Sequence, residues 1–126
     1  MLFFLLFLAI QAQAKKTLNI SRTSFAPKID GNLDDEAWKN ANIATDFISF
    51  QPEIGLKKPK NERSEIRMTY DDQAIYISAY MYDDPDKIMK QLTARDDFGQ
   101  SDFFLVVINP NNDSQNDTLF FVFASG

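Results

Sequence analysis

Neither cysteine nor histidine occurs anywhere in this 126-residue chain. Without cysteine there is no disulfide, no thiol nucleophile and no iron–sulfur cluster, and the redox state of the compartment leaves no trace in the composition. Without histidine the usual neutral-pH general base is missing, together with Ser-His and Cys-His pairings and the commonest zinc and haem ligand. The remaining metal ligands are oxygens, which restricts candidate cations to hard ones such as Ca²⁺ or Mg²⁺. Positive charge is also short: 13 Lys and Arg stand against 18 Asp and Glu, for a net charge of −5. The basic residues are scattered, so no stripe exists to meet phosphates, and a nucleic-acid partner is excluded. Long apolar runs are nearly absent. The main one, Leu2–Ile10, spans nine residues, well short of the roughly 20 that cross a bilayer.

That run is followed by "AQA" at Ala12–Ala14 and by Lys15. A short apolar core before a small-x-small site is the pattern of a secretory signal, here cut after Ala14. The expected organisation is a signal peptide over 1–14, an N-terminal extension over 15–24, and one domain over 25–126. No transmembrane helix is expected in the mature chain. At 44% hydrophobic and 25% charged, the domain has the balance of an ordinary globular protein.

The segment "KIDGNLDDEAW", Lys28–Trp38, gathers four acids and the sole tryptophan into eleven positions. Gly31 supplies a turn after Asp30. Asp34 or Asp35 is a natural N-cap, with Glu36 in the first turn. A helix over "DDEAWKNA" is about two turns long, and it persists only if Trp38 anchors it in a core. This acidic cluster is therefore read as architecture. Adjacent Asp34 and Asp35 do not face each other across a cleft as a glycosidase pair would, and Asp96 or Asp97 with Asp102 makes no stronger pair. No catalytic residue is assigned.

Period-two alternation dominates the middle of the chain. In "SEIRMTY", Ser64–Tyr70, Ile66, Met68 and Tyr70 oppose Glu65, Arg67 and Thr69. After the acidic turn "DDQ", "AIYISAYMYD" sets Ile75, Ile77, Ala79 and Met81 against Tyr76, Ser78, Tyr80 and Tyr82. This is a hairpin, whose second strand is expected to be central in its sheet. "DKIMKQL" allows a helical turn. "DFFLVVIN", Asp102–Asn109, reads as a strand buried on both faces, and "TLFFVF" as a further strand. Several short strands with one short helix predict an all-β antiparallel β-sandwich. A long apolar last strand would leave a sticky edge, so the domain is expected to be incomplete at its C-terminal side.

Two groups of residues are candidates for binding. Tyr80 and Tyr82, with Phe98, offer rings on which a sugar stacks; the alternative, which extends to Tyr76, is a packed core or cross-strand ladder. In "NPNNDSQND", the side-chain oxygens of Asn111, Asp113, Gln115 and Asp117 alternate as Ca²⁺ ligands do. That loop has no central Gly and no closing Glu, and a solvated hairpin turn accounts for it equally.

The order Pro27, Ile29, Asp30, Gly31, Leu33, Asp34, Ala37, Trp38 resembles the entry motif of family 9 carbohydrate-binding modules. The hairpin "EIRMTYDDQAIYISAYMYDDPD" and the strand "SDFFLVVINPNND" are similar to the family's next elements. "TARDD", "NPNND" and "FFVFASG" resemble the N-terminal domain of the DUF5916 bacterial secreted and outer-membrane proteins. The resemblance covers Phe25–Gly126 and implies a β-sandwich, bound oligo- or polysaccharide, structural calcium, and export to the periplasm or outer membrane of a Gram-negative bacterium. It also implies downstream domains in the same polypeptide, where any glycosyl hydrolase activity would lie. The chain departs from the sugar-binding pattern at three places. Phe98 is the nearest aromatic to the expected Trp, Leu105 stands at a Glu position, and the expected Arg falls within "FFVF". These departures leave an alternative, a structural or interaction domain of an outer-membrane β-barrel protein that does not bind sugar.

Overall fold

The computed structural model describes residues 16–94, 97–113 and 115–126. The expected signal segment over 1–14 lies outside them, as do Arg95, Asp96 and Ser114. The fold is strand-rich with one short helix: β1 Ser21–Arg22, α1 Glu36–Lys39, β2 Ile43–Ala44, β3 Ser64–Tyr70, β4 Ile75–Met81, β5 Phe103–Ile108 and β6 Thr118–Phe123. They form two small sheets. Among the described residues no helix is long and apolar enough to cross a membrane.

β3 is the centre of the larger sheet. β4 pairs antiparallel along one edge, with Met68 opposite Ile77 and Thr69 opposite Tyr76. The other edge is shared by β2, antiparallel at Ile43↔Arg67, and β1, parallel at Ser21↔Thr69. Two expectations are corrected here. The sheet is not purely antiparallel, because the 15–24 extension returns alongside the end of β3, where Thr23 N–H donates to Tyr70 O at 2.8 Å. And β4 is an edge strand, not a central one: β1 and β2 both lie on the far side of β3, and among the described residues β4 is paired by β3 alone. The second sheet is the β5–β6 ribbon, in register from Phe103↔Phe123 to Ile108↔Thr118.

The helix sits on the Thr69 face of the larger sheet. It has one turn, Glu36–Lys39, against the two expected over "DDEAWKNA". Asp35 is its N-cap residue but makes no side-chain cap bond; its carboxylate instead accepts from Lys28 N–H at 3.0 Å. That bond fastens the incoming chain to the helix start. Gly31 takes φ +82°, and Asp30 Oδ1 accepts from Asn32 N–H at 2.9 Å, closing the turn. Asp34 is exposed. Trp38 is 3% exposed, and Ala37 and Ala41 are buried on the same segment. Thr69 is buried in the sheet face beneath, its hydroxyl donating to Ser21 O at 2.7 Å. With one turn of helix, stability depends on this anchorage far more than on helix propensity.

The opposite face of the larger sheet looks across an apolar cleft of about 560 Å³ lined by Ile66, Met68, Ile75 and Ile77 on one side and Phe104, Val106 and Ile108 on the other. These residues are half-buried, Ile75 excepted, which is exposed. β5 is not buried on both faces as its unbroken apolar run predicts: Phe103 and Val107 are about half exposed. A two-stranded ribbon offers little to pack against, so an apolar sequence does not by itself secure burial. The segment "DKIMKQL" contributes a turn, closed by Lys87 N–H to Asp84 O at 2.9 Å, and no helix.

Candidate functional site

The candidate sugar-stacking residues fall on both sheets. Tyr80 is on β4, and Tyr82 follows it, kept in line by its N–H donating to Arg63 O at 2.9 Å. Strand alternation turns both rings to the same side, and they meet at 4.6 Å between centroids, tilted 56°. The Arg63 guanidinium lies 3.6 Å from the Tyr82 centroid, a cation–π contact. Arg63 is further tied to Glu65 at 3.1 Å, and Arg67 reaches the same carboxylate at 3.3 Å. One face of Tyr82 is thus occupied by protein. Tyr80, half-exposed, has the freer ring.

Phe98 belongs to the ribbon. Its ring meets Phe121 edge-on at 5.0 Å and Phe123 at 5.8 Å, and Phe103 packs on the same two rings. The turn that presents it is tightly built. Gly99 N–H donates to Asp97 Oδ1 at 3.0 Å and Gln100 N–H to Gln91 Oε1 at 2.8 Å. At Gly99, φ is +50° and an added Cβ would fall 2.2 Å from Thr93 Cγ2, so glycine is required twice over.

Two hollows lie beside these groups. One, of about 550 Å³, is bounded by Met81, Tyr82, Met89, Asp102 and Phe103. The other, of about 220 Å³, is bounded by Gln91, Asp97, Phe98 and Phe123. Ser101 lines both. Ser101 is buried, its hydroxyl donates to Met89 O at 3.2 Å, and its backbone bridges to Lys90. Asp102 accepts from Met89 N–H at 3.0 Å on the same side. Ser101, paired with Lys90 in a segment that the sequence marks only as a crossover, is the lining residue that the Tyr82 and Phe98 hollows share. The alternation of that segment is too short to register as a strand.

Tyr76 has a different role. Its hydroxyl donates to Asp71 Oδ2 at 2.8 Å, while Asp71 Oδ1 accepts from Gln73 N–H at 2.7 Å and Ala74 N–H at 2.9 Å. The Gln73 amide first, then the Tyr76 hydroxyl, hold the Asp71 carboxyl below its ordinary range. The same bond pushes the Tyr76 phenol up. This is the lock of the β3–β4 turn.

The loop expected to hold calcium is engaged with itself. Asp113 accepts from the Asn116 side-chain amide at 2.8 Å and from the N–H groups of Gln115 and Asn116 at 2.9 and 3.1 Å. Asn109 Nδ2 reaches both Asp113 and Asp117, at 3.2 and 3.1 Å. The Asn116 amide and these backbone donors hold the Asp113 carboxyl well below the usual range. Asn111 is exposed at the tip. Among the described residues no three acidic side chains gather as a metal-binding group. The loop's oxygens fit an Asx-type turn, and no described neighbour supplies the closing carboxylate of a calcium cage. Comparison of the chain with protein-family models, with curated proteins and with solved structures finds no match.

Proposed function

We propose that this domain is a non-catalytic carbohydrate-binding module, exported, whose two sheets are layers of a β-sandwich and whose aromatic-lined hollows hold a glycan for appended domains of the same polypeptide. The observation that carries the reading is the pair of hollows, one lined by Tyr82 and the other by Phe98, each edged by carboxylate and hydroxyl groups. Aromatic rings take the apolar face of a pyranose, and polar groups between them read its hydroxyls. The resemblance of the entry motif and hairpin to family 9 modules points the same way. Titration calorimetry with xylo- and cello-oligosaccharides tests it. Affinities of about micromolar to millimolar are expected, with Phe98→Ala and Tyr82→Ala each weakening binding about tenfold. No heat across a broad glycan panel, on protein shown to be folded, overturns the reading.

One feature favours a second reading, an interaction domain that has lost sugar binding. Phe120 and Val122 leave apolar surface exposed on one face of the ribbon, and Phe103, Val107 and Leu119 on the other; exposed apolar surface of this kind marks a protein contact. Failure of glycan binding would leave this reading in place.

A further inference from the structure

We infer that Arg63 is a positioning residue of the Tyr82 hollow: it fills one face of the Tyr82 ring and fixes the ring's orientation, so that a sugar stacks on the opposite face. This rests on the carbohydrate reading of that hollow and adds to it the ring face that binds and the side chain that presents it. Arg63 stands directly across from Tyr82, just beyond the paired residues of β3 and β4, where Tyr82 N–H donates to Arg63 O at 2.9 Å. The Arg63 guanidinium is held at three points. Nη1 donates to Lys60 O at 2.8 Å, Nε pairs with Glu65 at 3.1 Å, and the central carbon lies 3.6 Å from the Tyr82 centroid. Glu65 is in turn held by Arg67 at 3.3 Å, and both of those side chains are largely buried.

The separation of guanidinium and ring is van der Waals contact, so no sugar enters between them. The linings of two adjoining hollows show which side of the ring is left. Tyr82 lines the hollow that Met89, Asp102 and Phe103 also bound, and Arg63 does not. Arg63 lines the neighbouring hollow with Lys57 and Lys60, and Tyr82 does not. Lys58, Glu62 and Ser64 border both. Ring and guanidinium thus form a two-layer partition, tyrosine toward one hollow and arginine toward the other. Tyr80 is tilted 56° against Tyr82 and not stacked on it, so it braces the ring without covering it. A tyrosine at the end of an edge strand otherwise moves between staggered rotamers, and a sugar that stacks on it must first immobilise it. A planar guanidinium fixed through its fork immobilises the ring before the sugar arrives.

The test is a double-mutant cycle on the full chain, titrated with cellotetraose and xylotetraose: the parent, Arg63→Ala, Tyr82→Ala and the two substitutions together. Arg63→Ala is expected to weaken binding about fivefold in the parent and by less than about twofold once Tyr82 is alanine, because Arg63 acts through the ring. Equal weakening in both backgrounds means that Arg63 touches the sugar itself, and overturns the positioning role. So does an Arg63→Ala variant that binds like the parent, or a Tyr82→Ala variant that does; each of these leaves the carbohydrate reading standing. A measurement without sugar tests the contact independently. In the nuclear magnetic resonance spectrum of the parent, the Arg63 Nε–H proton should lie upfield of its position in Tyr82→Ala, shifted by the ring current of the face it covers. The same position in both proteins overturns the inference whatever the titrations give. Absence of binding by the parent, on protein shown to be folded, overturns the carbohydrate reading and this inference with it.

Discussion

Replacing Trp38 by alanine should cost far more stability than replacing it by phenylalanine, and the contrast comes from its surroundings. Trp38 is 3% exposed, with Ala37 and Ala41 buried beside it, on a helix of a single turn. Alanine removes most of the anchor and leaves a void between α1 and β3, at about 3–5 kcal/mol. That is about a fifth or more of the 5–15 kcal/mol typical of a domain. Phenylalanine removes only the difference between the two ring systems, roughly 50 Å². At about 25 cal/mol per Å² this is about 1 kcal/mol, and the smaller void adds about as much again. Against that loss, the buried Trp38 Nε1 has no hydrogen-bond partner among the described residues. Deleting an unsatisfied buried donor restores about 1–3 kcal/mol. The two effects nearly cancel, so Trp38→Phe should lie within about 1 kcal/mol of the parent. Urea denaturation followed by far-UV circular dichroism reads both variants without relying on the lost fluorophore. In the parent, Trp38 fluorescence should be blue-shifted and protected from acrylamide. If Trp38→Phe loses as much as Trp38→Ala, the indole N–H has a partner in solution and is not orphaned. If Trp38→Ala loses less than about 1 kcal/mol, the helix is not held by this ring at all.

Two further outcomes concern the loops. The Asp113 carboxyl is depressed in the fold relative to the unfolded chain, so its contribution is present above about pH 4 and drains away as pH falls through the acid range below it. The melting temperatures of the parent and of Asp113→Asn should therefore keep their separation from about pH 6 to about pH 4 and draw together only as pH falls below about 4, and curves that stay parallel throughout the acid range would contradict the assignment. Chelation with EGTA should leave the melting temperature unchanged, because Asn109, Gln115 and Asn116 already satisfy Asp113. A clear fall on chelation, reversed by Ca²⁺, would return calcium to the Asn111–Asp117 loop, since a ligand bound only to the folded state stabilises it.

Local rules are legible along the chain. Alternation locates β3 residue for residue over Ser64–Tyr70 and β4 to within a few positions, because period two is a property of the strand itself, and the apolar runs place β5 and β6 as closely. The turn at Asp30–Gly31 is legible for the same reason: φ +82° is a single-residue matter. Legibility fails where a partner distant in sequence decides. Asp35 has every local reason to cap α1, yet its carboxylate goes to Lys28, seven residues back, because the incoming chain passes there. The apolar run of β5 says that burial is favourable, not that a second layer is present to provide it.

Residue type and spacing suffice for four things. They mark the strand segments, show which faces of the hairpin are apolar, limit the chain to chemistry without thiol or imidazole, and pick out Tyr80, Tyr82 and Phe98 as candidate rings. Other features emerge only in three dimensions: β3 and not β4 is central, Arg63 lies on the Tyr82 ring, and Tyr82 and Phe98 line two hollows that share Ser101. The physical reason is that strand order and side-chain juxtaposition depend on loop closures between residues tens of positions apart. Those closures are set by which apolar surfaces bury each other, and local periodicity carries no record of them.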